Sequence, residues 1–177
     1  ISLGASSIIY TLFTKELNIM PSNPEWLNRD RLVLSASHAA GLVYANMYMA
    51  GYDLTLDDLK NFGTLNSKTP LLSNMLKTKG IDFTTGPVGY GLSGAVGMAL
   101  GEKYYQSLLS KYVKNQKLVN HYIYCLVSDG DIESGLLTEA ASLAGLYNLG
   151  NLIVLYDSNG MTGDNTLDKS STDDVLK

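Results

Sequence analysis

The sequence has one cysteine, two histidines and only 13 lysines and arginines among its 177 residues, and each scarcity excludes a class of protein. A lone Cys125 cannot form an intramolecular disulfide, which is typical of a reducing compartment and predicts a cytoplasmic location. No basic cluster occurs, so we expect no nucleic-acid partner. No apolar run approaches the ~20 residues of a membrane span, so we expect no membrane partner. There is no Cys/His cluster for zinc.

The remaining composition is that of a globular domain. Hydrophobic residues make up 45% and charged residues 17%, with a formal net charge of -4. That balance is too apolar for a disordered chain, and a chain of this length forms about one domain. The sequence begins at Ile1 rather than at Met, and it ends at Lys177 directly after a polar stretch. We therefore expect residues 1–177 to be a single domain cut from a longer chain.

Two continuous apolar runs predict the core of the fold. The runs 122–127 (YIYCLV) and 152–156 (LIVLY) do not alternate apolar with polar residues, which is typical of parallel strands covered on both faces. The helical pattern at 136–147 supplies the crossover between them. The sequence therefore predicts an α/β fold, with a mostly parallel sheet and helices on both faces. We also expect a strand at 31–35, a loop at 63–90, and helices at 3–18, 37–50, 55–62 and 92–112.

Polar side chains follow both predicted central strands. The first run leads into 128–131 (SDGD) and the second into 157–160 (DSNG), about 30 residues further on, the length of one strand–helix–strand unit. In open parallel sheets, ligands bind beyond the carboxyl ends of the strands. Carboxylate and amide oxygens there suit a hard cation such as Mg²⁺ or Ca²⁺. Asp-Gly and Asn-Gly are also common turn dipeptides, and this alternative stays open.

A glycine-rich stretch, 86–91 (GPVGYG), leads into the predicted helix at 92–112. Such a loop exposes backbone N–H groups to an anion, usually a phosphate. It is not a P-loop, because no Gly-Lys-Ser/Thr follows. Gly89, Gly91 and Gly94 match the dinucleotide pattern G-x-G-x-x-G, which also needs a preceding strand; close helix packing is the other explanation of these glycines. Together with the strand-end oxygens, the loop favours a diphosphate bound through a divalent metal.

Three stretches carry a resemblance to a known family. They are 28–38 (NRDRLVLSASH) with 50–54 (AGYDL), 84–91 (TTGPVGYG) with 95–99 (AVGMA), and 129–130 (DG) with 139–145 (EAASLAG) and 156–160 (YDSNG). In order and spacing, over nearly the whole chain, they resemble the thiamine-diphosphate-binding N-terminal domain of transketolases. The resemblance implies the thiamine-diphosphate-binding fold, and it implies that residues 1–177 are a truncated N-terminal diphosphate-binding domain.

The resemblance also implies a set of site residues. The metal ligands would be the side chains of Asp129 and Asn159 and the backbone carbonyl of Met161. The cofactor would contact His38, Gly86, Pro87, Val88, Gly130 and Asn159, with Gly130 at the diphosphate. His38 would also be catalytic, near the diphosphate and the sugar substrate; the alternative is a histidine that merely caps a helix. His121 has no role in the family and is interpreted as solvated or structural.

The family chemistry is the transfer of a two-carbon ketol unit between a ketose phosphate and an aldose phosphate. The resemblance implies thiamine diphosphate with Mg²⁺ or Ca²⁺ as cofactors and sugar phosphates as substrates. It also implies a homodimer formed through the cofactor-binding interface, with a separate pyrimidine-binding domain that supplies an activating glutamate. Because that domain lies outside these residues, we expect the isolated chain to bind the cofactor weakly and to show no turnover.

Four departures from the family pattern are expected to affect turnover. Ser128 replaces the first glycine of the Gly-Asp-Gly motif. Leu72 stands where the family has a substrate-facing histidine, Tyr90 replaces a glutamine, and Ser134, next to Glu133, replaces a glutamate. These losses leave open a second function, a transketolase-like protein that has lost catalysis and serves as a binding or assembly subunit. A nucleotide-binding α/β domain unconnected with thiamine is the third possibility.

Overall fold

The computed structural model describes residues 3–113, 118–163 and 165–172, which are built around a three-stranded parallel sheet. The strands are β1 (Arg31–Leu34), β2 (Ile123–Ser128) and β3 (Leu152–Asp157), in the order β1-β2-β3. Cys125 in β2 is paired with Val33 on one side and with Val154 on the other. Both apolar runs are therefore neighbouring strands, as predicted, and all three strands end at the same edge of the sheet.

Helices account for most of the rest of the described chain. The α-helices are α1 (Ser6–Thr11), α2 (Ala40–Ala50), α3 (Leu56–Lys60), α4 (Tyr90–Ser110), α5 (Asp129–Ile132) and α6 (Gly135–Leu146). A π-helical turn (Leu12–Glu16) extends α1, and 3-10 helices span Ser37–Ala39 and Leu167–Lys169. The short strands β4 (Met161–Thr162) and β5 (Asn165–Thr166) pair antiparallel. None of the described helices is long and apolar enough to cross a membrane.

The side chains of β2 alternate between two hydrophobic cores. Tyr124 and Leu126 pack with residues of α1 and α2 on one face of the sheet, whereas Ile123, Cys125 and Val127 pack with residues of α4 and α6 on the other. Every residue of β2 is buried, which explains why this run shows no alternation of apolar and polar residues. The prediction of an α/β fold with helices on both faces is confirmed.

Strand β3 differs from the prediction. The sequence predicts a strand covered on both faces, but no residue of β3 is buried and Val154 is 45% exposed. Within the described residues, β3 pairs only with β2, so it is an edge strand of the sheet. A short apolar run has the same appearance at an edge as in the centre, and the sequence pattern alone does not separate the two positions.

Two local devices fix the ends of helices where the sequence predicts them. Thr55 Oγ1 accepts a hydrogen bond of 3.1 Å from the Asp58 backbone N–H, while the Asp58 carboxylate accepts one of 2.8 Å from the Thr55 N–H. This capping box starts α3. Helix α2 ends at Ala50 and is capped by Gly51, whose φ of 91° lies in the left-handed region that glycine adopts without a steric penalty.

A buried charged cluster anchors the start of β1. Arg29 Nη2 donates to Asp82 Oδ1 over 2.5 Å, and Arg31 Nε lies 3.6 Å from the same oxygen. His121 is buried beside this cluster, and its Nδ1 has no hydrogen-bond partner among the described residues. Burial, assisted by the positive charge of Arg31, lowers the pKa of His121 to about 4. His121 is therefore a structural residue and is not solvated.

The buried His121 predicts a loss of stability in mild acid. Unfolded, its imidazole has the ordinary pKa of 6.5, so the unfolded chain binds a proton before the folded chain does. Stability present above pH 6.5 is then lost as the pH falls toward 4. We expect the free energy of unfolding to fall by about 2 kcal/mol from this residue between about pH 7.5 and about pH 5.

The effect on the free energy of unfolding is measured by denaturant unfolding across this pH range. The two proteins compared are the 177-residue chain with His121 and the same chain with His121→Gln. Because burial also lowers the pKa of His38, both proteins should carry His38→Gln, which leaves no other histidine in the chain to titrate. The His121→Gln protein should lack this part of the pH dependence. Equal pH slopes for the two proteins would contradict the prediction.

Candidate active site

The carboxyl ends of the three parallel strands open onto a cavity of about 820 Å³. The segment after each strand contributes to its lining, as do the glycine-rich loop and the β4–β5 hairpin. These lining residues include Ser35 and His38 after β1, Gly130 and Asp131 after β2, Asp157 at the end of β3 and Asn159 after it, Gly86 and Val88 of the loop, and Met161 of the hairpin. The structure thus brings together most of the site residues that the sequence predicts. Pro87 is exposed beside the cavity, and its carbonyl accepts a hydrogen bond from the Tyr90 N–H.

Asp129 is held rigidly at the centre of this edge. It is 1% exposed, and its Oδ2 accepts hydrogen bonds from the backbone N–H groups of Asn159 (2.9 Å) and Gly160 (2.7 Å). Its Oδ1 accepts a hydrogen bond from the Tyr156 hydroxyl. Burial and the contact with Asp129 raise the pKa of Tyr156, so that this hydroxyl stays protonated and acts as a donor. The two segments that follow β2 and β3 therefore meet at one carboxylate.

The surroundings of Asp129 fit a divalent cation. No lysine or arginine of the described residues forms an ion pair with it, and a buried carboxylate without a counter-charge is costly. The backbone N–H of Asn159 contacts this carboxylate, and the side-chain Oδ1 of Asn159 accepts a hydrogen bond of 3.0 Å from the Met161 N–H. In the described ranges no three His, Cys, Asp or Glu side chains cluster in a way that could hold a metal. A cation here would therefore take one carboxylate together with amide, carbonyl and phosphate oxygens, as Mg²⁺ does.

The segment after β2 begins a short helix, α5. The Asp-Gly pair at 129–130 is therefore part of a helix start and not of a simple turn. Ser128 caps α5, and Asp131 Oδ2 accepts hydrogen bonds from the Ser128 N–H (3.0 Å) and hydroxyl (3.2 Å). Asp131 Oδ1 accepts hydrogen bonds from the Ser35 hydroxyl (2.7 Å) and the Gly89 N–H (2.9 Å). Asp131, 3% exposed, thus joins the ends of β1 and β2 to the start of α4. The Ser-x-x-Asp spacing at 128–131 is the sequence signal for the helix cap formed by Ser128 and Asp131.

Gly130 and Ser128 occupy the third position and the altered first position of the Gly-Asp-Gly motif. A Cβ added at Gly130 would lie 3.2 Å from Thr162 Oγ1, so the glycine keeps open a narrow gap between α5 and the hairpin. That gap is suited to a group that approaches the backbone closely. Ser128 is buried, and its hydroxyl is bonded to Asp131. The extra hydroxyl at this departure is therefore satisfied within the protein.

The glycine-rich loop serves two purposes. Gly86 and Val88 line the cavity, as expected for a loop that approaches a phosphate. Gly91 and Gly94 instead allow close packing: a Cβ would lie 2.3 Å from Ser35 Cα at Gly91 and 2.6 Å from the Phe83 ring at Gly94. The packing explanation therefore holds for these two glycines. The dinucleotide hypothesis is wrong in its structural requirement, because no strand precedes α4 within 63–89.

His38 and Leu72 both line the cavity. His38 lies in the 3-10 helix Ser37–Ala39. The N-cap positions of that helix and of α2 are Ala36 and Ala39, so His38 caps neither helix start. His38 is exposed to the cavity, and the partial burial of its imidazole lowers its pKa, which favours the neutral form near neutral pH. Leu72 lines the same cavity and is 44% exposed, so an apolar side chain occupies the position of the family's substrate-facing histidine.

A chain of buried hydroxyl groups fixes the backbone beside Leu72. The Ser73 N–H donates to Ser37 Oγ over 3.0 Å, and the hydroxyls of Ser73 and Thr85 are 2.6 Å apart. Thr85 Oγ1 in turn donates to the carbonyl oxygen of Leu34 over 2.6 Å. This chain connects the loop that carries Leu72 to the end of β1. Sequence reasoning missed it because the three hydroxyls are far apart along the chain and follow no period.

The remaining departures lie at the rim of the site. Ser134 caps α6 by accepting a hydrogen bond of 3.3 Å from the Leu137 N–H. Glu133 lines the cavity and accepts a hydrogen bond of 2.7 Å from the Ser170 hydroxyl. Tyr90 is exposed at the first position of α4. Ser134 and Glu133 thus have structural partners of their own at positions where the family pattern differs.

These features define a class of protein. A parallel α/β sheet whose strand ends place a buried carboxylate, an amide and a glycine-rich loop around one cavity is typical of α/β domains that bind a ligand at this edge. The family profile described as "Transketolase, thiamine diphosphate binding domain" matches residues 1–177. The chain belongs to this family of transketolase thiamine-diphosphate-binding domains.

Individual relatives agree with the family match. The chain is 46% identical over 173 residues to a transketolase of Bacillus subtilis, covering 98% of this chain and 26% of that protein. It is 48% identical over 177 residues to a transketolase of Aquifex aeolicus, covering 99% and 25%. The crystal structure of a Campylobacter jejuni transketolase superposes with a TM-score of 0.87 at 43% identity, covering 94% of this chain and 26% of that one. The chain thus spans about a quarter of the length of these relatives.

Proposed function

We propose that this chain is the diphosphate-binding part of a transketolase and binds thiamine diphosphate through Mg²⁺ or Ca²⁺. The observation that carries the proposal is Asp129, a buried carboxylate without a cationic partner in the described residues, at the edge where all three strands end. A divalent cation supplies the missing charge, and a diphosphate supplies further oxygen ligands to that cation. The family match supports thiamine diphosphate as the source of the diphosphate.

The other predicted residues take places around this cation in the proposal. Asn159 and the carbonyl of Met161 complete the protein ligands, and Gly130 admits the diphosphate close to the backbone. Gly86, Pro87 and Val88 approach the cofactor from the glycine-rich loop. All of these residues except Pro87 line the shared cavity. Pro87 is exposed and follows the lining residue Gly86, and the buried Asp129 precedes the lining residue Gly130.

His38 is the proposed catalytic residue of this chain. It lines the cavity next to Ser35 and Ser37, and its lowered pKa makes a neutral imidazole available to donate or accept a proton on the substrate. When bound, thiamine diphosphate supplies the electron sink for cleavage of the carbon–carbon bond of a ketose. The protein supplies binding, orientation and exclusion of water.

The names of the relatives support proposals about the whole protein. We infer that it transfers a two-carbon ketol unit between ketose and aldose phosphates in the pentose phosphate pathway. A homodimer formed through the cofactor-binding interface and a pyrimidine-binding domain of the same protein would complete the site. The lone buried Cys125 supports a cytoplasmic location.

Calorimetric titration with thiamine diphosphate tests the proposal. The full-length protein should bind the cofactor in the presence of Mg²⁺ and release it on addition of EDTA. The 177-residue chain alone should bind it more weakly and should show no ketol transfer. Binding to the full-length protein that is unaffected by EDTA would contradict the metal site, and turnover by the isolated chain would contradict the need for further domains.

Leu72 favours a second candidate function, a transketolase-like subunit that has lost catalysis. Its apolar side chain faces the cavity where a hydrogen-bonding group is expected to hold the substrate. Turnover of the full-length protein with xylulose and ribose phosphates decides between the two. Ketol transfer would exclude the second candidate. The second candidate would be established if the protein binds the cofactor in a metal-dependent way but shows no ketol transfer, and if Leu72→His restores that transfer.

A further inference from the structure

The two carboxylate oxygens of Asp129 have unequal surroundings. Oδ2 accepts two hydrogen bonds, from the N–H groups of Asn159 and Gly160, whereas Oδ1 accepts one, from the Tyr156 hydroxyl. A carboxylate offers about four acceptor positions, two on each oxygen. The described residues therefore fill both positions on Oδ2 and one of the two on Oδ1. One acceptor position remains, and it is on the oxygen that Tyr156 contacts.

We propose that Asp129 binds the metal through Oδ1 alone and that Tyr156 is the positioning residue that fixes this oxygen. The inference deepens the proposed function and rests on it, because it concerns the same metal site. Tyr156 would not touch the metal. It would act through Asp129, by holding the carboxylate in the single orientation that leaves the free position of Oδ1 for the cation.

The location of Tyr156 makes it suitable for this role. It lies in β3 opposite Val127 of β2, and its ring packs against the hydrophobic core beneath α4 and α6. The ring is thus anchored at the same edge of the sheet from which Asp129 begins α5. Neither the donor nor the acceptor depends on a mobile surface side chain, so the hydrogen bond is set by the fold itself.

The expected consequence of losing this hydrogen bond is specific to the metal. Groups that hydrogen-bond to a metal ligand orient it, and their removal typically weakens metal binding about 10- to 100-fold. Tyr156→Phe removes the hydroxyl and keeps the ring that packs in the core. We expect metal affinity to fall by about 10-fold, with cofactor affinity at saturating metal changed by less than about twofold.

Titration of the full-length protein with Mn²⁺ in the presence of thiamine diphosphate tests the inference, with free Mn²⁺ measured by electron paramagnetic resonance. The matched control is Tyr147→Phe, since Tyr147 is exposed just after α6 and its hydroxyl has no hydrogen-bond partner among the described residues. Asp129→Asn serves as the reference for a lost ligand. Metal affinity should fall for Tyr156→Phe and stay unchanged for Tyr147→Phe.

The outcomes separate this inference from the function on which it rests. Wild-type Mn²⁺ affinity in Tyr156→Phe would overturn the role of Tyr156 while leaving the metal site intact, provided that Asp129→Asn still loses it. An equal loss of metal affinity and of cofactor affinity at saturating metal would also overturn it, because that result indicates general distortion of the fold. Failure of the wild-type protein to bind Mn²⁺ with thiamine diphosphate would instead overturn the proposed function.

Discussion

Asp129→Asn will lower the affinity of the site for its divalent cation by more than about 100-fold, which corresponds to about 3 kcal/mol. The substitution removes the charge that draws the cation and the carboxylate oxygen that binds it. It preserves the shape of the side chain, whose amide oxygen can still accept from the Asn159 and Gly160 N–H groups. Its amino group can donate to Tyr156. The loss therefore concerns binding and leaves the fold in place.

The measurement is calorimetric titration of the full-length protein with thiamine diphosphate at several Mg²⁺ concentrations. Asp168→Asn is the matched control, because it makes the same change of charge at an exposed position outside the cavity. Without metal, the Asp129→Asn protein should be at least as stable as the unsubstituted protein, since the substitution removes a buried carboxylate that has no counter-charge among the described residues. Unchanged metal dependence in Asp129→Asn, or an equal loss in Asp168→Asn, would exclude Asp129 as the ligand.

The sequence predicts the sheet and its functional edge because both depend on local patterns. An apolar run without alternation is what a buried strand requires, and the runs at 122–127 and 152–156 became β2 and β3. Asp129 and Asn159 follow those strands directly, so parallel neighbours must bring them together. The capping box of α3 is likewise contained in four consecutive residues. In each case the information lies within one element and its flanks.

The parts that sequence reasoning missed depend on contacts between distant segments. Asp131 accepts from Ser35 and Gly89, which precede it by 96 and 42 residues, and no periodicity predicts such pairs. The same is true of Tyr156 and Asp129. Strand β3 is more exposed than predicted because a strand pairs with it on one side only among the described residues, and its own residues do not determine this. Patterns of residue type therefore indicate where the site is, and tertiary hydrogen bonds determine how it is held.

Gly91→Ala will destabilise the protein by about 3 kcal/mol, a value at the upper end of the range for overpacking. An added Cβ would lie 2.3 Å from Ser35 Cα and 2.7 Å from Ser35 N, and both are backbone atoms that cannot rotate away. The start of α4 must then move away from the end of β1. That movement also shifts the loop at 86–90 and the Gly89 N–H that is bonded to Asp131. Weaker cofactor binding should accompany the loss of stability.

Gly101→Ala is the matched control for this change. Gly101 lies in the same helix, and apart from the neighbouring backbone of that helix no described atom lies within 4 Å of an added Cβ there. The substitution should therefore stabilise the helix by up to about 1 kcal/mol. Denaturant unfolding without ligand distinguishes the two explanations of Gly91. If the glycine serves helix packing, stability falls in the absence of any ligand. If it serves only the approach of a phosphate, the stability of the ligand-free protein stays unchanged while cofactor affinity falls, and the packing explanation is then wrong.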